Sequence, residues 1–63
     1  MPIIQVSMIE GRGEEKKAAL VKALTEAAVD SIGAPRESVR VILNEVPNTN
    51  FGIGGKTAKE LGR

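Results

Sequence analysis

The sequence predicts an α+β fold in which a β-α-β unit with two parallel strands is followed by a short C-terminal hairpin. Three observations predict it. Residues 3–9 alternate side chains with the two-residue period of a strand. Residues 14–32 are rich in Ala, Leu, Lys and Glu and carry apolar side chains at helical spacing. Residues 38–46 are β-branched and nearly continuous in apolar character, as in a centrally placed strand.

The first strand and the helix are separated by a glycine-containing turn. One face of the strand carries Ile4, Val6 and Met8, and the other carries Ile3, Gln5, Ser7 and Ile9. Two glycines in residues 10–13 provide the turn, and Glu14 and Glu15 suit the positive end of a helix dipole. One helical stripe is expected to contain Val21, Leu24, Ala28 and Ile32.

The helix is expected to end at Gly33, which favours the left-handed conformation, and Pro35 prevents it from continuing. The crossover from the first strand to the second should be right-handed, as about 98% of such connections are. In the tail, the glycines of residues 51–55 predict a tight hairpin or an irregular turn. No linker or repeat divides the chain, so residues 1–63 are expected to form a single domain.

The size of the chain predicts a homo-oligomer. A 63-residue chain buries only about 60% of its unfolded surface, and this one has no Cys or His to supply disulfides or an ordinary zinc site. One helix covers one face of a two-stranded sheet, yet Ile3, Ile9 and Ile42 make the other face partly apolar. That face needs a partner.

Composition argues against several classes of function. Lys and Arg total 9 against 8 Asp and Glu, so the net charge of +1 gives no strong field for nucleic acid or an anionic membrane. Phe51 is the only aromatic residue, which leaves no stacking platform for bases. The sequence has no apolar run of bilayer length and no basic secretory region at its start, so we expect a cytoplasmic protein.

The absence of His and Cys also excludes a Ser-His-Asp triad and a thiol nucleophile. Residues 55–57, Gly-Lys-Thr, resemble the end of a phosphate-binding P-loop. However, Asn50 occupies the position of the first required glycine, and only six residues follow Thr57, too few for a long helix.

Three residues remain as candidates for chemistry. If Met1 is removed, Pro2 becomes a terminal secondary amine that accepts a proton; otherwise it simply begins an edge strand. Arg40, between Val39 and Val41, must be exposed at the sheet end, paired, or directed at an anionic ligand. Arg12, in its glycine-flanked loop, is by itself an ordinary solvated charge.

Taken together, these residues resemble the 4-oxalocrotonate tautomerase family, which includes 2-hydroxymuconate tautomerase. The resemblance covers the whole chain. It rests on Pro2 after the initiator Met and on four further segments: Glu10-Gly11-Arg12, Ala34-Pro35, Ser38-Val39-Arg40-Val41 and Phe51-Gly52-Ile53-Gly54-Gly55.

The resemblance implies a cofactor-free tautomerase fold whose sheets pair between subunits, typically as a hexamer built as a trimer of dimers. Pro2 would be the catalytic base that moves a proton in an enol or dienol acid such as 2-hydroxymuconate. Arg40 would hold a carboxylate and the adjacent 2-oxygen, and Arg12 the far carboxylate. Phe51 would form an apolar wall and, with Ile9, keep water from the amine. Neighbouring subunits would supply these groups.

The chain departs from familiar members at three positions: Ser7 stands where they have His, Gly13 replaces a better helix N-cap, and Arg36 stands where an apolar residue is usual. Arg36 is either a solvated charge or a site residue that alters substrate preference. Two alternatives stay open beside the tautomerase. One is a related dehalogenase or decarboxylase of three-carbon acids, and the other is a non-catalytic oligomer of the same fold.

Overall fold

A computed structural model describes residues 2–63, so the predicted removal of Met1 concerns a residue outside the described part. Strand β1 spans Ile3–Ile9, helix α1 spans Glu14–Ile32 and strand β2 spans Arg40–Val46. The two strands are parallel and in register, from Ile3 opposite Arg40 to Ile9 opposite Val46. The predicted β-α-β unit is therefore confirmed, with the predicted bounds for β1 and α1.

The second strand begins two residues later than the sequence predicted. Residues Arg36–Ser38 form a 3₁₀ turn instead, which we call the 36–38 turn. Both the backbone N–H and the hydroxyl of Ser38 donate to the carbonyl oxygen of Pro35, at 2.9 and 2.8 Å. These hydrogen bonds occupy Ser38 and leave Arg40 as the first residue paired with β1.

The two ends of α1 follow the sequence prediction. Gly13 is the N-cap residue, in extended conformation, and has no side chain to cap the first turn. Gly33 has a φ of 69°, and its N–H donates to the carbonyl oxygen of Val29 at 3.1 Å, which ends the helix. No helix within residues 2–63 combines the length and the apolar character that crossing a bilayer requires.

The C-terminal segment forms the predicted hairpin. A 3₁₀ turn over Asn48–Asn50 leads into strands β3, Gly52–Ile53, and β4, Lys56–Thr57, which pair antiparallel. Gly54 and Gly55 join them with φ values of 59° and 90°, a conformation that a two-residue hairpin of this kind requires of both positions.

One chain alone has almost no core. Among residues 2–63 the buried apolar side chains are three alanines, Ala28, Ala34 and Ala58. The radius of gyration is 14.4 Å, against about 11 Å for a compact domain of this length. The accessible surface of 4649 Å² also exceeds the roughly 3,900 Å² expected of a compact monomer of this mass. These values are what a subunit of a larger assembly shows when taken by itself.

The exposed apolar surface includes the sheet face that α1 leaves open. Ile3 and Ile42 on that face are 58% and 48% exposed, whereas alternate residues such as Ile4 and Val41 are half-buried. The predicted helix stripe is likewise only partly covered. Ala28 is buried and Leu24 half-buried, but Ile32 is 68% exposed.

Candidate active site

Pro2 and Arg40 lie together at one end of the sheet, where both strands begin. The backbone N–H of Arg40 donates to the carbonyl oxygen of Pro2 at 3.0 Å, the hydrogen bond with which the parallel ladder begins. Pro2 is half-buried and Arg40 is exposed. Parallel pairing thus places Pro2, the candidate base, and Arg40, the candidate residue for binding a carboxylate, at the same end of the sheet.

The Arg40 side chain is anchored to the 36–38 turn. Its Nη1 donates to the carbonyl oxygen of Glu37 at 2.6 Å and lies 3.5 Å from that of Val39. A guanidinium carries five N–H donors, so donors remain for a ligand after these contacts. Of the options that the sequence left for Arg40, exposure at the sheet end is the one observed in the single chain.

Arg12 and Ile9 lie at the opposite end of the sheet. The N–H of Glu10 donates to the carbonyl oxygen of Val46 at 2.8 Å and closes the ladder there. Beyond it, Gly11 has a φ of 133°, and the exposed Arg12 donates from Nη1 to the carbonyl oxygen of Ile9 at 3.2 Å. Ile9 itself is half-buried.

Phe51 comes five residues after the end of β2, the end at which β1 also finishes. It comes directly after the 48–50 turn, is half-buried, and accepts a 2.7 Å hydrogen bond at its carbonyl oxygen from the N–H of Ala58. A reciprocal pair of hydrogen bonds between Thr57 and Glu60 steadies the turn that follows. The hairpin is thereby hydrogen-bonded to the backbone of Phe51.

The structure therefore divides the five candidate residues into two groups. Pro2 and Arg40 are joined through the backbone, while Ile9 ends β1, and Arg12 and Phe51 come after the ends of β1 and β2. At about 3.3 Å per residue, the seven steps from Pro2 to Ile9 span about 23 Å, and the Arg12 guanidinium is hydrogen-bonded to the Ile9 carbonyl oxygen. Residues 2–63 of a single chain enclose no cavity that unites the two groups.

The exposed side chain of Arg36 forms an ion pair and makes no hydrogen bond to the other candidate residues. Its Nε and Nη2 donate to the two carboxylate oxygens of Glu26, at 2.8 and 2.7 Å. This bidentate geometry is the strongest arrangement available to an arginine and a carboxylate. The hydrogen bond from Arg36 is the main cause that lowers the pKa of Glu26, although burial opposes it; the same bond raises the pKa of Arg36.

Two structural contributors escaped the sequence prediction. They are the Glu26 carboxylate, which pairs with Arg36, and the Glu37 carbonyl oxygen, which accepts from Arg40. The signal for Glu26 was its position ten residues before Arg36, across a helix end, which is too indirect to be recognised from the sequence. Ser7 lies exposed on the open sheet face, opposite Asn44.

A second ion pair ties α1 to the sheet away from these residues. Lys17 Nζ lies 2.9 Å from Oε1 of Glu45, with side chains 31% and 26% exposed. This pair fastens the first half of the helix to the end of β2, close to where the strands finish.

The chain matches a known family along almost its whole length. Residues 2–60 match the family described as "Tautomerase enzyme". The 2-hydroxymuconate tautomerase of Comamonas testosteroni is 51% identical over 63 residues, which is 100% of each chain.

Solved structures agree with this match. A 4-oxalocrotonate tautomerase isozyme of Methylibium petroleiphilum is 50% identical with a TM-score of 0.95, covering 98% of this chain and 100% of the other. A chain of the heterohexameric 4-oxalocrotonate tautomerase of Chloroflexus aurantiacus is 41% identical with a TM-score of 0.92, covering 97% and 98%. The predicted resemblance and fold class are confirmed, and related structures include oligomers.

Proposed function

The chain belongs to the tautomerase family, as an enzyme of the 4-oxalocrotonate tautomerase kind, and we propose that it moves a proton within 2-hydroxymuconate or a similar dienol acid. The observation that carries the proposal is the full-length match to 2-hydroxymuconate tautomerase, which is accompanied by Pro2 and Arg40 at one edge of the sheet.

Pro2 is the proposed general base. Once Met1 is removed, its nitrogen is a secondary amine with one lone pair. The neutral amine takes a proton from the substrate, and the resulting ammonium returns a proton to a carbon of the conjugated system. The dienol thereby becomes a conjugated or unconjugated keto acid, with no net gain or loss of protons or electrons.

The arginines are proposed to hold the two ends of the substrate. Arg40 binds one carboxylate and the adjacent 2-oxygen, where negative charge develops during the proton transfer, and its unused N–H donors suit that role. Arg12 binds the far carboxylate. Phe51 and Ile9 provide the apolar wall that keeps water from the amine.

We propose that more than one copy of the chain completes each site. In a single chain about 23 Å of strand separates Pro2 from Ile9, to whose carbonyl oxygen the Arg12 guanidinium is bonded, so Pro2 and Arg12 are too far apart for one small diacid to touch both. A second copy placed on the open sheet face would cover Ile3 and Ile42. The proposed assembly is a homohexamer arranged as a trimer of dimers.

The proposal needs no cofactor, because an amine and two guanidiniums supply the proton transfer and the charge stabilisation. We also propose a cytoplasmic location, since a chain without Cys has no need of an oxidising compartment. Fractionation of the host cells tests the location.

The decisive experiment combines intact mass with an assay. Protein purified from its native host should begin at Pro2, and it should ketonise 2-hydroxymuconate and phenylenolpyruvate. Native material that uniformly retains Met1 would contradict the proposed base. Turnover of 3-haloacrylates in place of enol acids would instead favour the dehalogenase alternative, and an absence of both activities would favour the non-catalytic oligomer.

A further inference from the structure

Arg40 depends for its orientation on a backbone carbonyl outside its own strand. The Nη1 atom of Arg40 makes two contacts with carbonyl oxygens, and the shorter one, of 2.6 Å to Glu37, fixes one edge of the guanidinium. Glu37 is the central residue of the 36–38 turn. Any shift of that turn therefore moves the acceptor and changes where the remaining donors of Arg40 point.

The 36–38 turn is fastened at both of its ends. On the strand side, Ser38 donates twice to Pro35, and the N–H of Val39 donates to the Arg36 carbonyl at 3.2 Å. On the helix side, the Arg36 guanidinium donates hydrogen bonds to both carboxylate oxygens of Glu26. The first set of bonds shapes the turn, and the Glu26–Arg36 pair is the one side-chain hydrogen-bond link between the turn and α1 within residues 2–63.

We propose that Glu26 and Arg36 are positioning residues for Arg40, which they orient by holding the 36–38 turn, and the Glu37 carbonyl within it, against helix α1. The proposal rests on the proposed function, because it assumes that Arg40 binds substrate. The chain of contacts runs from the Glu26 carboxylate to the Arg36 side chain, through the turn to the Glu37 oxygen, and on to Arg40 Nη1.

The Lys17–Glu45 pair is a matched control within the same chain. It too joins α1 to a later segment with a short contact, of 2.9 Å, and it is less exposed than the Glu26–Arg36 pair. It has no bond to the 36–38 turn or to Arg40. A variant that breaks it should therefore lower Tm without changing the orientation of the substrate-binding guanidinium.

The experiment compares kcat and KM for Arg36→Ala, Glu26→Gln and the charge-swapped double variant E26R/R36E, with Lys17→Ala as the control. All are assayed well below Tm, after light scattering has shown that assembly is intact. Each single substitution should lower kcat about two- to five-fold, the range expected for loss of an exposed ion pair, with KM little changed. The double swap should recover most of kcat, and Lys17→Ala should retain it.

A second arm repeats Arg36→Ala in an Arg40→Ala background, at enzyme concentrations high enough to follow slow turnover. If Arg36 acts through Arg40, removing Arg36 has no further effect on kcat there. An equal loss in both backgrounds, or wild-type kcat in the single variants, would overturn the inference. Wild-type activity of Arg40→Ala itself would overturn the proposed function as well, which separates the two failures.

Discussion

The backbone N–H of Arg40 donates a 3.0 Å hydrogen bond to the carbonyl oxygen of Pro2, and this bond begins the parallel ladder at the pair formed by Ile3 and Arg40. Alternation along β2 places the Arg40 side chain on the open sheet face with Ile42, while Val41 faces α1. A charged group thus stands at the border of the apolar surface that another copy is proposed to cover. This location suits a guanidinium that serves a site between subunits.

Arg40→Ala and Arg12→Ala should have different kinetic effects. Arg40 is proposed to stabilise charge that develops on the 2-oxygen, so its loss should mainly lower kcat. Arg12 is proposed to hold a remote carboxylate equally in the ground and transition states, so its loss should mainly raise KM. Steady-state kinetics with 2-hydroxymuconate measure both. Unchanged kinetics in both variants, with assembly intact, would remove the proposed roles.

Ile42→Asp should break the assembly into smaller species. Ile42 is 48% exposed on the open face of the single chain, and a carboxylate buried there in an interface would lose its hydration without gaining a partner. Light scattering at micromolar concentration measures the change. Ala23→Asp, at an exposed position of α1, is the control for one added negative charge. A hexamer that survives Ile42→Asp would show that this face is not the interface.

Much of the fold was predictable because it depends on local patterns. The period-two alternation of β1 and the left-handed preference of Gly33 each act within a few residues, and both were predicted correctly. The start of β2 was not. Val39 suits a strand as well as Val41 does, but its N–H bonds to the Arg36 carbonyl, and Ser38 bonds to Pro35, so these residues belong to the turn.

The candidate site was predictable only in its residue types. Pro2, Arg12 and Arg40 were singled out by residue type and position, and the family resemblance supplied their proposed roles; the contact that anchors Arg40 to the Glu37 carbonyl was not predicted. The Glu26–Arg36 pair was also missed, because the contact depends on how α1 and the 36–38 turn meet in space. Contacts between distant segments leave little trace in the pattern of one sequence.

The two glycines that flank α1 should respond in opposite ways to the same substitution. At Gly13 the backbone is extended, with φ −77° and ψ 169°, and an added Cβ meets nothing within 4 Å. Gly13→Ser should therefore raise Tm slightly, by supplying an N-cap worth a few tenths of a kcal/mol. At Gly33 the φ of 69° strains any side chain, so Gly33→Ser should lower Tm. Thermal unfolding measures both changes in Tm, and a lower Tm for both variants would contradict the N-cap argument.

The Glu26–Arg36 pair should make stability depend on pH in the acid range. The Arg36 hydrogen bond lowers the pKa of Glu26 from its ordinary 4.5, so the pair stabilises the folded state above that pH. Its contribution is lost as pH falls through the lower folded value. Wild type should therefore have a higher Tm than Arg36→Ala above pH 4.5, and this difference should shrink toward zero as the pH falls further below 4.5. A difference that persists in strong acid would contradict this origin.

The pH dependence of kcat/KM should report the protonation of Pro2 in the free enzyme. A free secondary amine in water is protonated at neutral pH and cannot accept a proton. In the proposed site shared between chains, guanidiniums from Arg12 and Arg40 would repel the ammonium, and the apolar side chains of Phe51 and Ile9 would reduce its hydration, so both effects are expected to lower the pKa of the amine.

The rate should accordingly rise with pH through a limb near neutrality, and Phe51→Ala should move that limb upward. The smaller side chain admits water, which stabilises the ammonium and makes the amine more basic. Leu61→Ala, which shortens an apolar side chain that is 44% exposed, is the control and should leave the limb in place. A profile that stays flat from weakly acid to alkaline pH would show that a group other than Pro2 carries the proton. Full activity of Pro2→Ala would be weaker evidence against Pro2 as the base, because the primary amine of that variant can partly replace the secondary amine.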